Sequence, residues 1–231
     1  MKKIAILQSN YIPWKGYFDM IAAVDQFILY DDAQYTVNDW RNRNKLKTPH
    51  GLQWLTVPVL TKGRFGQRIV DAEIKQSNWA EVHWKTICQN YRRASHFATL
   101  APAIEEMLVG TQHKFLSSLN RSMIEFVCNS LGIRTIISST SDYRLIEGKT
   151  ERLVDLCRQA GATEYVSGPA ARCYLDEAQF AENGIRVTWF DYAGYPEHPQ
   201  LWGAFRHDVS ILDLLLNCGE QASRYMRFVR P

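Results

Sequence analysis

Residues 3–32 read KIAILQSNYIPWKGYFDMIAAVDQFILYDD, and this stretch decides the fold. Lys3 to Gln8 is a short apolar run that reads as a buried strand, broken by Ser9 and Asn10. Pro13 fits the first turn of a helix, where its missing N–H costs nothing. Phe18, Ile21 and Ala22 then recur at helical spacing. Phe27 to Tyr30 is a second apolar run, closed by Asp31 and Asp32. Strand, helix and strand within thirty residues make a βαβ unit, which requires parallel strands.

The pattern then changes. Residues 33–75 carry extended segments, with a turn at Thr48-Pro49-His50-Gly51 and a third segment near RFGQRIVDAEI, and read as an antiparallel β insertion. Helical patterns follow at WAEVHWKTICQNYRRA, near Ala101–Leu108 and from His113 to Leu131, the last ending at Gly132. Beyond it the α/β alternation resumes. Five parallel strands are expected near 4–8, 27–31, 134–138, 163–167 and 186–190, with a final helix from Ser210. The expected fold is α/β: one domain over 1–231 built on an open, mainly parallel, Rossmann-like five-stranded sheet. A β and helical lobe is inserted at about 33–130.

Composition agrees with a folded domain. The chain has 231 residues, 46% of them hydrophobic, which is enough to bury a substantial core. A net charge of +3 is too small to imply nucleic-acid binding by itself. The five cysteines form no C-x-x-C pair and, with no secretory signal in MKKIAIL, read as reduced thiols of a cytoplasmic protein. No apolar run reaches membrane-spanning length.

Ligands of open parallel sheets bind beyond the carboxyl ends of the strands. Those ends carry Gln8-Ser9-Asn10, Asp31-Asp32, Ser138-Ser139, Ser167-Gly168 and Asp191-Tyr192. Gln8, Asn10, Tyr11 and Gly16 therefore line the expected pocket, and Gln34 flanks it. Asp31 or Asp32 is the expected general base, with binding of sugar hydroxyls or of a metal as the alternatives; on a strand the two point to opposite faces. In WRNRNKLK, the alternating Arg41, Arg43, Lys45 and Lys47 would share one strand face. That suits an anionic partner, or a guarded sheet edge. Lys149 precedes Thr150, the expected N-cap of a helix, and is a phosphate candidate or a solvated side chain. Ser167 opens a Ser-Gly-Pro loop that either supplies N–H donors or simply turns the chain. His83 lies among Trp79, Val82 and Ile87 on a helix, where a core role competes with acid–base catalysis. His198 lies in a Pro-rich aromatic loop of the kind that closes over ligands. No His/Cys cluster has metal-ligand spacing, no G-x-S-x-G or Walker loop is present, and no RNA-reading aromatic motif occurs.

Several longer stretches resemble the WbqC-like proteins: QSNYIPWKGYFDMI, DDAQYTVNDWRNRNKLK, WLTVPV, HWKTICQNY, KTERLVDLCRQAGATEYVSGPAARCYLDE and SILDLLLNCG. The resemblance implies a role in bacterial surface-polysaccharide (O-antigen) assembly. The implied activity is transfer of a small acyl or aminoacyl group, such as glycine, onto an amino sugar or nucleotide-linked amino sugar. The alternative is a non-catalytic protein of that pathway that binds the nucleotide sugar or a partner. Partners implied are an anionic nucleotide-linked sugar and acyl-carrier or polysaccharide enzymes, with ATP or an activated acyl donor as the group source. Many relatives have His where Gln8 stands, so no catalytic role for that His carries over. At fold level the opening also resembles nucleotidylyl transferases such as pantothenate synthetase. WKGY, Trp14 to Tyr17, stands where those enzymes have H-x-G-H, with both histidines absent.

Overall fold

The computed structural model describes residues 1–230. Strand β1 (Lys3–Leu7), helix α1 (Lys15–Ala22) and strand β2 (Gln26–Leu29) form the expected βαβ unit, with Ile4 paired to Gln26 and Leu7 to Leu29 in parallel register. Three later strands, β5 (Ile136–Ser139), β6 (Glu164–Ser167) and β7 (Arg186–Trp189), complete the sheet in the order β5-β2-β1-β6-β7. The chain builds outward from β1 through β2 to β5, then crosses to β6 on the other side of β1. The switch point therefore lies between β1 and β6, where an open parallel sheet leaves a crevice.

Period-two alternation divides the core. Ile4, Ile6 and Ile28 face one side, against Val154, Leu156 and Cys157 of α5 (Thr150–Gln159) and Phe180 of α6 (Glu177–Glu182). Ala5, Phe27 and Leu29 face the other, against α1, α4 (Leu116–Ser130) and α7 (Ile211–Cys218). Because both faces are covered, the strands read as continuous apolar runs.

The insertion contains the hairpin β3 (Arg43–Thr48) and β4 (Gly51–Thr56), antiparallel from Arg43–Thr56 to Thr48–Gly51, and the helices α2 (Trp79–Tyr91) and α3 (Phe97–Glu105). Its core of Leu46, Leu55, Val57, Ile87 and Tyr91 takes in Leu119 and Met123 of α4 and Leu212 and Leu216 of α7. Those two helices thus serve both cores, and the insertion rests directly on the layer that covers the sheet. Among the described residues no helix is long and apolar enough to cross a membrane.

Several local expectations are corrected. Pro13 lies outside the helix, which starts at Lys15 with Trp14 at its N-cap. The third extended segment is a 3₁₀ turn, Ile69–Asp71, flanked by isolated bridges Gln34–Arg68 and Val59–Ile74. Arg41 precedes β3 rather than joining it. Thr150 is the first helical residue, and its hydroxyl accepts the Asp176 N–H instead of capping. The helix expected near 101–108 is α3, which begins at Phe97 and passes into a π-helical turn, Glu106–Gly110.

Between β7 and α7 the chain runs without helix or strand over residues 190–210. Burial of specific polar contacts fixes this loop. Asp213, 1% exposed, accepts from Tyr91 Oη, His198 Nε2 and Gln200 Nε2, each at 2.8 Å. Lys47 Nζ donates to Gln200 Oε1 and the Ala204 carbonyl at 2.6 Å, and buried Lys15 donates to the Pro196 carbonyl at 2.7 Å. Asp213→Leu would strand three donors at once. Its expected cost is about 3–5 kcal/mol in urea unfolding, against less than half that for Asp155→Leu on the surface of α5; equal losses would show that the network carries no stability.

Candidate ligand site at the carboxyl edge of the sheet

The site begins where β1 ends. The Gln8 carbonyl accepts Tyr17 Oη–H at 3.0 Å, and the Ser9 N–H donates to Asp31 Oδ1 at 2.8 Å. Ser9 Oγ accepts from Asn120 Nδ2 at 3.1 Å, and the same amide holds the Arg41 carbonyl at 2.9 Å. Asn120 therefore links α4, the β1 end and the start of the basic ribbon.

The two carboxylates lie in a turn beyond the end of β2, not on the strand as expected, and they have different partners. Asp32 is bound at both oxygens, by Arg68 Nη1 at 2.7 Å and Thr140 Oγ1 at 2.6 Å. Asp31 is 4% exposed. Burial raises its pKa, against the Ser9 hydrogen bonds and the nearby Arg41 charge, which lower it. It opens on a cavity of about 450 Å³ bordered by Asp71, Ser118, Arg121 and Ser139.

His83 lies elsewhere. It is 3% exposed, its Nδ1 is 2.9 Å from Tyr11 Oη, and Trp79 meets it edge-on. Burial lowers its pKa to about 4, so the ring is neutral near pH 7. Tyr11 is fully buried in the insertion core and does not border the Asp31 cavity. The space above Gly16 is also taken. A Cβ at Gly16 would overlap the Trp14 indole, which packs against Tyr192 and Tyr195 at centroid distances of 5.5 and 5.6 Å. Gly16 is needed so that this ring can lie on the helix start.

The basic ribbon faces the protein's own loop. Arg41 pairs with Asp39 at 3.0 Å, and Lys45 with Asp208 at 2.8 Å. The Arg43 guanidinium lies 4.2 Å from the Trp54 ring centroid. Between ribbon, β1 loop and residues 190–210 is a second cavity of about 320 Å³, lined by Asn10, Trp14, Trp40, Asn44, His207 and Asp208. Asn44, 3% exposed, donates from Nδ2 to the Tyr11 and Ile12 carbonyls at 3.1 and 2.9 Å. These bonds hold Ile12 at φ 35°, an outlier for a β-branched residue.

Of the residues expected from sequence, the structure thus gathers Gln8, Asn10, Asp31 and Arg41 around one loop. Gln34 is exposed on its bridge to Arg68, and Lys149 is exposed at the start of α5, bordering neither cavity. Ser167 is 5% exposed at the end of β6, next to Gly168, over which Tyr192 lies. Sequence reasoning missed Asn44, Arg121, His207 and Asp208. Asn44 had one signal: it alternates with the basic residues of the ribbon and so falls on the inward face.

The raised pKa of Asp31 has a thermodynamic sign. The folded state holds this proton to higher pH than the unfolded chain, so the ionised carboxylate costs stability once pH exceeds its folded pKa. Asp31→Asn keeps an acceptor for Ser9 and removes the charge. It should raise the Tm at pH 7, and the gain over wild type should vanish below about pH 3.8, the ordinary aspartate value. A Tm lowered at pH 7 would contradict this account.

The chain is 56% identical over 230 residues to the uncharacterized protein Rv1507c of Mycobacterium tuberculosis, with 100% of each chain covered. No solved structure matches it. A model of the WbqC-like protein family matches residues 8–225, which include both cavities' polar side chains and the whole sheet beyond β1, and the chain belongs to that family.

Proposed function

We propose that this protein transfers a small acyl or aminoacyl group onto the amine of an amino sugar, free or nucleotide-linked, in surface-polysaccharide assembly. One observation carries the reading. Asp31 is a buried carboxylate of raised pKa at the carboxyl edge of a parallel sheet, open to a cavity that Arg121 also borders. Groups with pKa values perturbed by burial in clefts are the usual acid–base candidates.

The chemistry follows from that group. The sugar ammonium gives one proton to Asp31, which burial has made a stronger base than an exposed aspartate. The free amine attacks the acyl carbon of an activated donor. The new C–N bond forms as the bond to the leaving group breaks, and the leaving group departs with that electron pair. The product amine's second proton passes to solvent or to the leaving group. Arg121, borne by α4 and paired at 2.8 Å with Glu125, stands where an anionic leaving group would meet it. Gln8 and Ser9 shape the loop, and Asp32, tied to Arg68 and Thr140, keeps the strand ends in register.

A binding role without catalysis is the second reading. It draws on the aromatic cavity, whose lining includes no serine, threonine or cysteine nucleophile. Turnover separates the two. Wild-type protein with UDP- or dTDP-linked amino sugars and a panel of activated acyl donors should yield a product heavier by the acyl mass. Asp31→Asn should lower kcat by about 100-fold or more with KM little changed. A wild-type protein that binds the sugar nucleotide and gives no product with any donor would leave the binding role standing and overturn the transferase.

A further inference from the structure

The cavity lined by Asn10, Trp14 and Trp40 has features that Asp31 chemistry does not use. Asn10 Oδ1 is buried and has no hydrogen-bond partner. An unpaired buried amide atom is costly, and a polar group entering the cavity would remove that cost. The carrier loop is strained at Ile12 and held so by buried Asn44. Strain of this kind persists where surrounding structure over-determines it, as at ligand clamps.

The walls are flat and aromatic. Trp14 and Trp40 line the cavity; Trp40 is 41% exposed, and Trp54, outside the lining, backs it at 5.4 Å between ring centroids. The charge at the rim is positive. Lys45 Nζ is 5.6 Å from the Trp40 centroid and 5.1 Å from that of Trp54, with Arg43 beyond it. Two acids stand here: Asp208, paired with Lys45 and Arg206 at 2.8 Å each, and Asp39, paired with Arg41 and near Arg43, so four cations face two carboxylates. The volume of about 320 Å³ is at the lower end for small-molecule sites.

From these features we propose that this cavity binds the base of a pyrimidine nucleotide, with Lys45 and Arg43 on its phosphates. An amide offers an acceptor beside a donor. That pair matches the N3–H and adjoining carbonyl of uracil or thymine, while the indoles stack on the ring. The nucleotide is then the handle of the transferase's substrate, and to that extent the inference rests on the proposed function. The binding event itself does not.

Calorimetry on the intact chain tests it, with UDP and dTDP as ligands, ADP as the purine control and inorganic pyrophosphate as the base-free anion. The expected result is binding of UDP, dTDP or both, with ADP and pyrophosphate at least tenfold weaker. Trp40→Ala and Asn10→Ala should each weaken the pyrimidine diphosphates by about tenfold or more, in proteins whose circular dichroism matches wild type. Trp40→Phe, which keeps a stacking face, should weaken them less than Trp40→Ala. No binding at millimolar ligand, equal binding of pyrophosphate, or full affinity in folded Trp40→Ala would overturn the proposal. Asp31→Asn should bind the diphosphates as wild type does. Absent turnover by the wild-type protein, with its diphosphate binding intact, would overturn the transferase and leave the cavity assignment. Turnover on a sugar without nucleotide, with no diphosphate binding, would do the reverse.

Discussion

The arrangement of this molecule depends on the buried carboxyl group of Asp213. Its two oxygens take three donors, from α2 and from two positions of the 190–210 loop. A carboxyl group this deep is tolerable only if its acceptor sites are filled, since an unpaired buried charge costs several kcal/mol. The chain fills them with Tyr91, His198 and Gln200. Gln200 then passes the connection on, taking Lys47 on its oxygen and giving its amide to the Arg206 carbonyl. A loop of some twenty residues with no regular structure is thereby seated on the hairpin and on α7. His207 and Asp208, which wall the aromatic cavity, stand where they do because Asp213 holds the loop that carries them.

A second buried polar side chain performs the same service for the β1 loop. Asn44 occupies the inward face of β3, between the outward Arg43 and Lys45, where an apolar residue would be ordinary. Its amide takes two carbonyls of the Tyr11–Ile12 bend that otherwise would lie unsatisfied beside the insertion core. The bend turns Tyr11 inward to His83 and leaves Asn10 at the cavity. One residue of the hairpin therefore decides which side chains of the β1 loop face a ligand and which become core.

The sheet was legible in the sequence because strands buried on both faces are uninterrupted apolar runs, and their ends differ from expectation by at most two residues. Glycines 132, 161 and 184, read as helix stops, all have positive φ. Asp31 was legible because a carboxylate at a strand end sits where parallel sheets bind ligands. Residues whose role depends on a distant partner were not. Helical spacing places His83 on a face but does not reveal that Tyr11 waits there, and charge alternation in the ribbon does not reveal that residues 200–208 answer it. Loop 190–210 has no periodicity to read. Its side chains acquire meaning only from Asp213 and Lys47, more than a hundred residues apart.

The resemblance of WKGY to a nucleotide-binding turn is instructive for what the fold does and does not transmit. The strand-turn-helix frame is present, and Gly16 is present within it. Yet the absent Cβ of Gly16 makes room for an indole of the same chain, not for a phosphate, and the first turn of α1 is closed to anions by that ring. The aromatic layer of Trp14, Tyr192 and Tyr195 instead separates the helix start from the insertion. Open, positively charged aromatic surface lies on the far side of Trp14, toward Trp40, Lys45 and the 190–210 loop. A ligand can therefore reach the β1 loop from the insertion side, and the parts of this chain that depart from a plain parallel sheet are the parts that would recognise it.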